Sequence, residues 1–241
     1  MSGLVSIIMV AYNKLELSRA CIDSVLRHTS LPYELILVDN GSRDGTRDYF
    51  LALARKLPHV RAVVKPRNFG AYARSFGMEV ARGEFLCWLD NDVVVGPGWL
   101  EPLMGAFADP RVGGAGAEGV LLTADWQHRL HTKGCPPQEV DGLAVDILVG
   151  YCVVFRNLVH YVGYLDPQFY PLWNEDADYS FRVKLLGYRL VVRPVNVRHR
   201  EHGTGLVGTG DPAGHIARMN RALFSKWEPF KERVLEVYLN R

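Results

Sequence analysis

Short apolar runs alternate with segments of helical period through the first ninety residues of the chain. The apolar runs are residues 4–11, 33–39, 60–65 and 84–90, and the segments between them are 15–28, a helix ending near 57, and 70–81. Strands that alternate with helices predict a mostly parallel central sheet with helices on both faces. We therefore expect an α/β fold, and the length of 241 residues fits one domain.

The second half of the chain is less regular. Residues 111–122, 149–155 and 188–197 are expected to be strands, and residues 175–186 a helix. The polar stretch 123–146 has no clear period, and a loop of that length is usually functional or mobile. Residues 212–241 predict a helical C-terminal tail that is interrupted near Pro229.

Composition and charge exclude several classes of protein. A hydrophobic fraction of 48% and a charged fraction of 22% allow a sizeable core and argue against disorder. The net charge of +2 gives no reason to expect a nucleic-acid partner. The first apolar run is too short to span a bilayer and lacks the features of a signal peptide. Scattered cysteines suit a reducing compartment, so we expect a cytoplasmic protein; they are Cys21, Cys87, Cys135 and Cys152.

Two carboxylates follow the fourth apolar run, as Asp90-Asn91-Asp92. Ligands of open α/β sheets bind at the carboxyl ends of the strands, so these side chains can share one pocket. Mg²⁺ and Mn²⁺ bind through such carboxylates and complete their shell with phosphates and water. The triplet also occurs by chance in solvated loops, and both interpretations stay open at this point.

Two other strand ends carry polar side chains. Asp39 closes the second apolar run, where its carboxylate can accept a hydrogen bond from an N–H of uracil or guanine. Tyr12, after the first run, can stack on a base. Asp44 and Thr46, by contrast, have the character of turn and helix-cap residues.

Acidic residues are concentrated where the late helix begins, at Glu175, Asp176 and Asp178. The helix dipole favours acids in a first turn, and this explains Asp178. Glu175 and Asp176 follow an aromatic loop punctuated by proline, which is an unusual place to gather acids for capping alone. We therefore regard these two as candidate catalytic groups.

Two histidines follow the last expected strand, and one of them is a candidate third metal ligand. The alternation of Val195, Val197 and His199 places His199 on one side of that strand. For this reason His199 is favoured over His202, and both stay in the candidate metal set.

Five segments of the chain form an ordered series of motifs. They read VSIIMVAYN, ELILVDNGSRDGT, ARGEFLCWLDNDV, VGYLDPQFYPLWNEDADYSFRVKLLGYRLVVRP and FSKW. In this order, over about residues 5–227, they resemble the inverting glycosyltransferases of family 2. That family belongs to the nucleotide-diphospho-sugar transferase superfamily and has the GT-A fold, a Rossmann-like α/β domain.

The resemblance implies a role for each candidate residue. Asp176 is implied to be the general base, supported by Glu175, and the metal is implied to be Mn²⁺ or Mg²⁺. The implied metal ligands are Asp90, Asp92 and one of the two histidines. The implied donor-binding residues are Ala11, Tyr12, Asn13, Asp39, Asn68, Arg74, Asp90 and Asn91.

The resemblance also divides the single domain by function. Residues 1–95 are expected to bind the nucleotide sugar, residues 96–205 to hold the acceptor and the catalytic acids, and residues 206–241 to form the tail. The donor is expected to be a UDP, dTDP or GDP sugar, and the acceptor a glycan or a lipid-linked glycan in bacterial polysaccharide or glycoconjugate synthesis. The tail is basic on one face, so it either covers the core or rests on the inner face of a membrane.

Three alternatives compete with a transferase. A sugar-nucleotide or glycan-binding module without turnover has no need of Glu175 and Asp176 opposite a metal site. A nucleotidyltransferase or a Rossmann oxidoreductase needs a glycine-rich loop after the first strand, where this chain has Ala11-Tyr12-Asn13-Lys14.

Overall fold

A computed structural model describes residues 3–200 and 210–236 of the chain. The strands are β1 (Val5–Ala11), β2 (Tyr33–Asp39), β3 (Val60–Val64), β4 (Phe85–Leu89), β5 (Val93–Val95), β6 (Val112–Gly116), β7 (Gly119–Leu122), β8 (His128–His131), β9 (Ala144–Val145), β10 (Ile147–Leu148), β11 (Cys152–Arg156), β12 (Arg189–Val192) and β13 (Val197–His199). The α-helices are α1 (Leu15–His28), α2 (Thr46–Lys56), α3 (Ala73–Val80), α4 (Glu101–Gly105), α5 (Pro137–Val140), α6 (Val159–Val162), α7 (Glu175–Leu185), α8 (Pro212–Trp227) and α9 (Lys231–Val234).

The central sheet has eight strands in the order β3-β2-β1-β4-β11-β6-β12-β9. β11 and β9 run antiparallel to their neighbours, and the other six strands share one direction. The predicted mostly parallel sheet is therefore confirmed. Ala11 pairs with Asp39 in the β1–β2 register, so the carboxyl ends of these strands lie side by side. β4 is the other neighbour of β1 and runs parallel to it, so the residues that follow β4 lie at the same edge of the sheet.

Helices cover both faces of this sheet, as the continuous apolar runs predict. Successive residues of β1 belong to opposite cores because side chains alternate along a strand. Ile7 packs in one core with Ile22 of α1, and Ile8 packs in the other with Met78 of α3 and Val183 of α7. This double burial keeps most strand residues apolar; buried polar exceptions such as Ser6 and Glu34 hydrogen-bond each other, away from the carboxyl ends of their strands.

Two expected strands are divided in the structure. Residues 111–122 form β6, which belongs to the central sheet, and β7, which lies in a three-stranded sheet of order β10-β7-β8. The strand expected over residues 188–197 ends at Val192, where it leaves the central sheet. A stretch that contains Pro194 follows, and the chain then forms β13, which pairs with β5. Proline cannot donate a ladder hydrogen bond, which explains this interruption.

Two more expectations need correction. The stretch 123–146 contains β8, α5 and β9, so it is folded rather than an irregular loop. The strand expected over 149–155 is β11, Cys152–Arg156, and residues 149–151 instead form the turn that enters it.

The predicted helical tail is present as α8, a 3-10 turn (Glu228–Phe230) and α9. Leu223 and Trp227 of α8 pack with Phe181 of α7 in a third core. The apolar side of the tail thus covers the domain and the helix that carries the acid pair. Among the described helices, none has the length and apolar character needed to cross a membrane.

Candidate active site

A cleft of about 930 Å³ opens at the carboxyl ends of β1 and β4. It is lined from both halves of the chain, because the central sheet runs through both. The lining includes Tyr12, Asn40, Asn68, Arg74, Asp90, Asn91 and Asp92 from the first half, and Glu118, Lys133, Tyr151, Tyr170, Trp173, Glu175, His199, His215 and Arg218 from the second. Three of the predicted metal ligands, Asp90, Asp92 and His199, and one of the two predicted catalytic acids, Glu175, therefore face one cavity.

Asp90, Asp92 and His199 form a cluster that suits a divalent cation. One ligand atom from each lies within 4.8 Å of the others, and Asp92 Oδ1 is 3.2 Å from His199 Nε2. The pairing of β13 with β5 produces this arrangement, since His199 lies opposite Val93, the residue after Asp92. Two carboxylates and an imidazole form a donor set that could hold a divalent cation.

His199 is held by two residues that the sequence did not single out. The Tyr151 ring stacks on the imidazole, with 4.4 Å between ring centroids and 16° between planes. The Tyr151 hydroxyl in turn donates to Glu118 Oε1 over 3.0 Å. No sequence motif marks Tyr151 or Glu118. They reach the site through the turns after β6 and before β11, whose course could not be predicted from the sequence. His202, the other candidate ligand, lies outside the described residues.

Arg74 of α3 connects the metal cluster with the acid pair. Its side chain is buried, Nη1 donates to Glu175 Oε1 over 3.1 Å, and Nη2 donates to Asp90 and to the carbonyl oxygen of Gly150. Burial lowers the pKa of this guanidinium, but the charges of Asp90 and Glu175 outweigh that effect and raise it. Arg74 is therefore a fixed cation between two anionic groups.

Glu175 and Asp176 begin α7 and differ in orientation. Glu175 lines the cleft, and its Oε2 accepts from the backbone N–H of Trp173 over 2.8 Å. Asp176 accepts from the backbone N–H groups of Gly150 (3.0 Å) and Ala177 (2.8 Å). Burial, together with the charge of Asp176, raises the pKa of Glu175 to about 7, and burial also raises the pKa of Asp176.

A separate hollow of about 350 Å³ lies over the end of β2 and contains Asp39. This carboxylate is 1% exposed, and Oδ1 accepts from the N–H of Ser42 over 3.2 Å. Oδ2 is buried without a hydrogen-bond partner among the described residues. An unpaired buried acceptor costs free energy until a donor reaches it, so this oxygen is suited to an N–H of a ligand.

Three of the expected donor-binding residues have partners within the protein, and their contact with the donor stays a prediction. Ala11 is 1% exposed and pairs with Asp39. Asn13 Oδ1 accepts from the N–H of Arg43 over 2.8 Å. Asn91 lines the cleft, but its amide donates to Ser18 Oγ over 2.9 Å.

Asn68 is tied to Asn40, a residue that the sequence analysis did not include in the site. The Asn40 amide donates to Asn68 Oδ1 (2.9 Å) and to the carbonyl of Gly70 (3.1 Å), while its oxygen accepts from the N–H of Phe69 (2.8 Å). The available signal was its place directly after Asp39, at the end of a buried strand. Asn40 thus holds the segment 68–70 against the end of β2.

The same fold occurs in two solved glycosyltransferase structures. GalNAc-T7 with UDP, GalNAc and Mn²⁺ gives a TM-score of 0.72 at 18% identity, covering 94% of this chain and 49% of that one. Mannosyltransferase PcManGT from Pyrobaculum calidifontis, with GDP-Man and Mn²⁺, gives 0.69 at 19% identity, covering 97% of this chain and 69% of that one. The fold is thus that of the GT-A glycosyltransferases, as the resemblance implied.

The sequence comparison identifies the family. A family model described as glycosyl transferase family 2 matches residues 6–156, and the chain belongs to this family. Glycosyltransferase AglE of Haloferax volcanii is 33% identical over 100 residues, 40% of this chain and 33% of AglE. Glycosyltransferase GlyG of Streptococcus pneumoniae is 32% identical over 104 residues, 43% of this chain and 35% of GlyG. The matched segments span about a third of these relatives.

Proposed function

We propose that the chain transfers a sugar from a nucleoside-diphosphate sugar to a hydroxyl acceptor, with inversion at the anomeric carbon and with a divalent cation. One observation carries this proposal: Arg74 bridges Asp90 of the cation cluster and Glu175 of the acid pair within one cleft. A cation site next to candidate bases is what sugar transfer from a diphosphate requires, and a binding module has no need of that pairing.

The hollow over the end of β2 and the cleft beside the cation cluster together offer groups that fit a nucleoside diphosphate. The unpaired oxygen of Asp39 is suited to an N–H of uracil, thymine or guanine, which agrees with UDP, dTDP and GDP donors. Asp90, Asp92 and His199 would hold the cation, which supplies positive charge to the departing diphosphate. Arg74 contributes a fixed positive charge beside Asp90.

The acid pair supplies the base for a single displacement. The acceptor hydroxyl gives its proton to Asp176 as its oxygen forms a bond to the anomeric carbon. The bond from that carbon to the phosphate oxygen breaks, and the nucleoside diphosphate leaves with the electron pair. Attack from the face opposite the leaving group inverts the configuration. Glu175 supports this step by orienting the N-terminus of α7 through Arg74 and the N–H of Trp173.

A thermal-shift screen against UDP-, dTDP- and GDP-sugars, with and without Mn²⁺, tests this proposal. A ligand present at ~100 times its dissociation constant adds about 2.7 kcal/mol to the stability of the folded state. We expect a shift for one nucleotide class that depends on Mn²⁺ and is lost in Asp92→Ala. No shift for any donor with a folded protein would contradict the donor site. A shift without release of nucleoside diphosphate would favour the non-catalytic binding module.

A role in polysaccharide or glycoconjugate synthesis is part of this proposal. Chondroitin synthase of Pasteurella multocida is 32% identical over 104 residues, 43% of this chain and 11% of that protein. That relative is named for making a polysaccharide, and the cleft wall carries both polar and aromatic side chains, which agrees with a glycan substrate.

A further inference from the structure

Two exposed aromatic side chains stand in the cleft wall directly before the acid pair. Tyr170 is 55% exposed and Trp173 is 38% exposed, and both line the cleft. Trp173 precedes Glu175 by two residues. The other four tryptophans are nearly inaccessible to solvent: Trp88 (0%), Trp99 (0%), Trp126 (7%) and Trp227 (3%). Trp173 is thus the one tryptophan of the chain whose indole faces a cavity open to solvent.

The segment that carries this indole is firmly anchored. Four hydrogen bonds fix residues 171–174: one to Ala71, two to α8 and one to Glu175 at the start of α7. They are Ala71 N–H to the Pro171 carbonyl (2.7 Å), His215 Nε2 to the Leu172 carbonyl (2.9 Å), the Asn174 amide to Asn220 Oδ1 (2.8 Å) and Trp173 N–H to Glu175 Oε2 (2.8 Å). The indole is therefore presented from a fixed backbone, not from a free loop.

The backbone at this point is strained in a way that packing does not explain. Trp173 has φ 92° and Asn174 has φ 72°, both in the left-handed region that disfavours a bulky residue. Backbone strain of this kind gathers at ligand-binding and catalytic sites. A tryptophan that served the core would be buried, whereas this one is directed into the cleft.

We propose that the Trp173 indole is the platform on which a sugar ring of the acceptor stacks, so that the acceptor is a glycan. This inference rests on the proposed transferase function. A pyranose ring presents an apolar face of C–H groups to an aromatic plane and keeps hydroxyls at its edge. Glu118, Lys133 and Arg218 in the same cleft offer polar partners for those hydroxyls. A serine or threonine side chain has no comparable face to stack.

NMR of the indole N–H resonances tests whether a sugar ring binds at Trp173, and it does not require the enzyme to transfer a sugar. The Trp173 N–H resonance is identified by its absence in Trp173→Phe. With UDP and Mn²⁺ present, we expect millimolar methyl β-glucopyranoside, methyl β-galactopyranoside or methyl α-rhamnopyranoside to shift this resonance and leave the four buried indoles unchanged. A serine-containing peptide should leave it in place. No shift with any pyranoside, or an equal shift with the peptide, would overturn the proposal.

Kinetics with the same pyranosides as acceptors separates acceptor from donor contacts. Trp173→Ala should raise the acceptor KM about tenfold, equivalent to ~1.4 kcal/mol, without raising the donor KM. Trp173→Phe should recover most of the loss. Tyr161→Ala, at an aromatic residue 77% exposed on α6 and outside the cleft lining, is the matched control. A rise in donor KM instead would place the indole against the donor sugar and overturn the proposal.

Failure of the proposed transferase function can be distinguished from failure of the stacking proposal. The wild-type protein would then release no nucleoside diphosphate with any donor, while the indole titration would still decide whether Trp173 binds a sugar ring.

Discussion

The guanidinium of Arg74 donates to the carboxylate of Glu175 over 3.1 Å, across 101 positions of the sequence. Both side chains are buried, and the same guanidinium also contacts Asp90. The contact joins α3, in the first half of the chain, to α7, in the second half, in the wall of the cleft. The geometry of the cleft therefore depends on this ion pair.

Removal of Arg74 should destabilise the protein strongly. Arg74→Met leaves the buried carboxylate of Glu175 and the partly exposed carboxylate of Asp90 without their cation, and breaking a buried pair costs about 3 to 5 kcal/mol. Urea unfolding measures the loss, with Arg129→Met as an exposed control on β8. Since the pKa of Glu175 is about 7, protonation should relieve part of the loss in acid. A loss equal to that of Arg129→Met would show that the ion pair is dispensable.

Gly70 should be intolerant of a side chain because of its contact with Pro171. A Cβ at Gly70 would lie 1.9 Å from the carbonyl oxygen of Pro171, the residue that begins the anchored segment before the acids. Gly98 has a similar φ, +70° against +60°, but no atom within 4 Å of the corresponding position. Gly98→Ala should therefore show only the left-handed strain, about 1 to 2 kcal/mol.

We expect Gly70→Ala to cost clearly more in urea unfolding and to lower kcat as well, because the displaced segment carries Glu175 and Asp176. Equal effects of the two substitutions on both measurements would mean that the Gly70–Pro171 contact does not position the acids.

Asp176→Asn should remove transfer and retain donor binding. The amide cannot take the acceptor proton, and loss of a general base lowers the rate by about 10² to 10⁴. The donor-induced thermal shift should persist, because Asp176 contacts Gly150 and Ala177 rather than the donor pocket. Glu175→Gln is the informative comparison, since Glu175 lines the cleft. Nearly full activity of Asp176→Asn with inactive Glu175→Gln would assign the base to Glu175.

Stability should fall with rising pH where Glu175 titrates. Its pKa is raised from 4.5 to about 7 in the folded protein, so between these values the folded state binds more protons than the unfolded state. The stabilising contribution is fully present below about pH 4.5 and is lost as the pH rises through 7. Glu175→Gln should flatten this part of the curve of unfolding free energy against pH. An unchanged slope would mean that Glu175 is ionised throughout.

Much of the donor half could be predicted because its signals are local. The apolar run Tyr33–Asp39 and the helical period of Leu15–His28 match β2 and α1 residue for residue. A strand covered on both faces has polar residues mainly at its ends, so Asp39 and Asp90 could be placed at the ligand edge before any contact was known. Their chemical roles in donor and cation binding stay predictions.

The pairing of strands from distant segments could not be predicted from the sequence. Residues 111–122 have one continuous character, yet they divide between two sheets, because β11 and β10 offer partners that only the folded chain brings together. The place of His199 likewise depends on the pairing of β13 with β5. Glu118 and Tyr151 had no motif and reach the site only through the turns that these pairings create.

The sequence by itself determined the α/β alternation, the order of the motifs and the acids at the strand ends, because short-range periodicity encodes burial. Tertiary structure alone decided what each polar side chain contacts. Asn13 and Asn91, expected to bind the donor, have partners within the protein: Asn13 Oδ1 accepts from the N–H of Arg43, and the Asn91 amide donates to Ser18 of α1. Asn91 nevertheless lines the cleft, together with Asn40 and Trp173, which were not among the expected site residues. The physical reason is that a side chain's partner depends on its direction and on elements far away in the chain, which become neighbours only after folding.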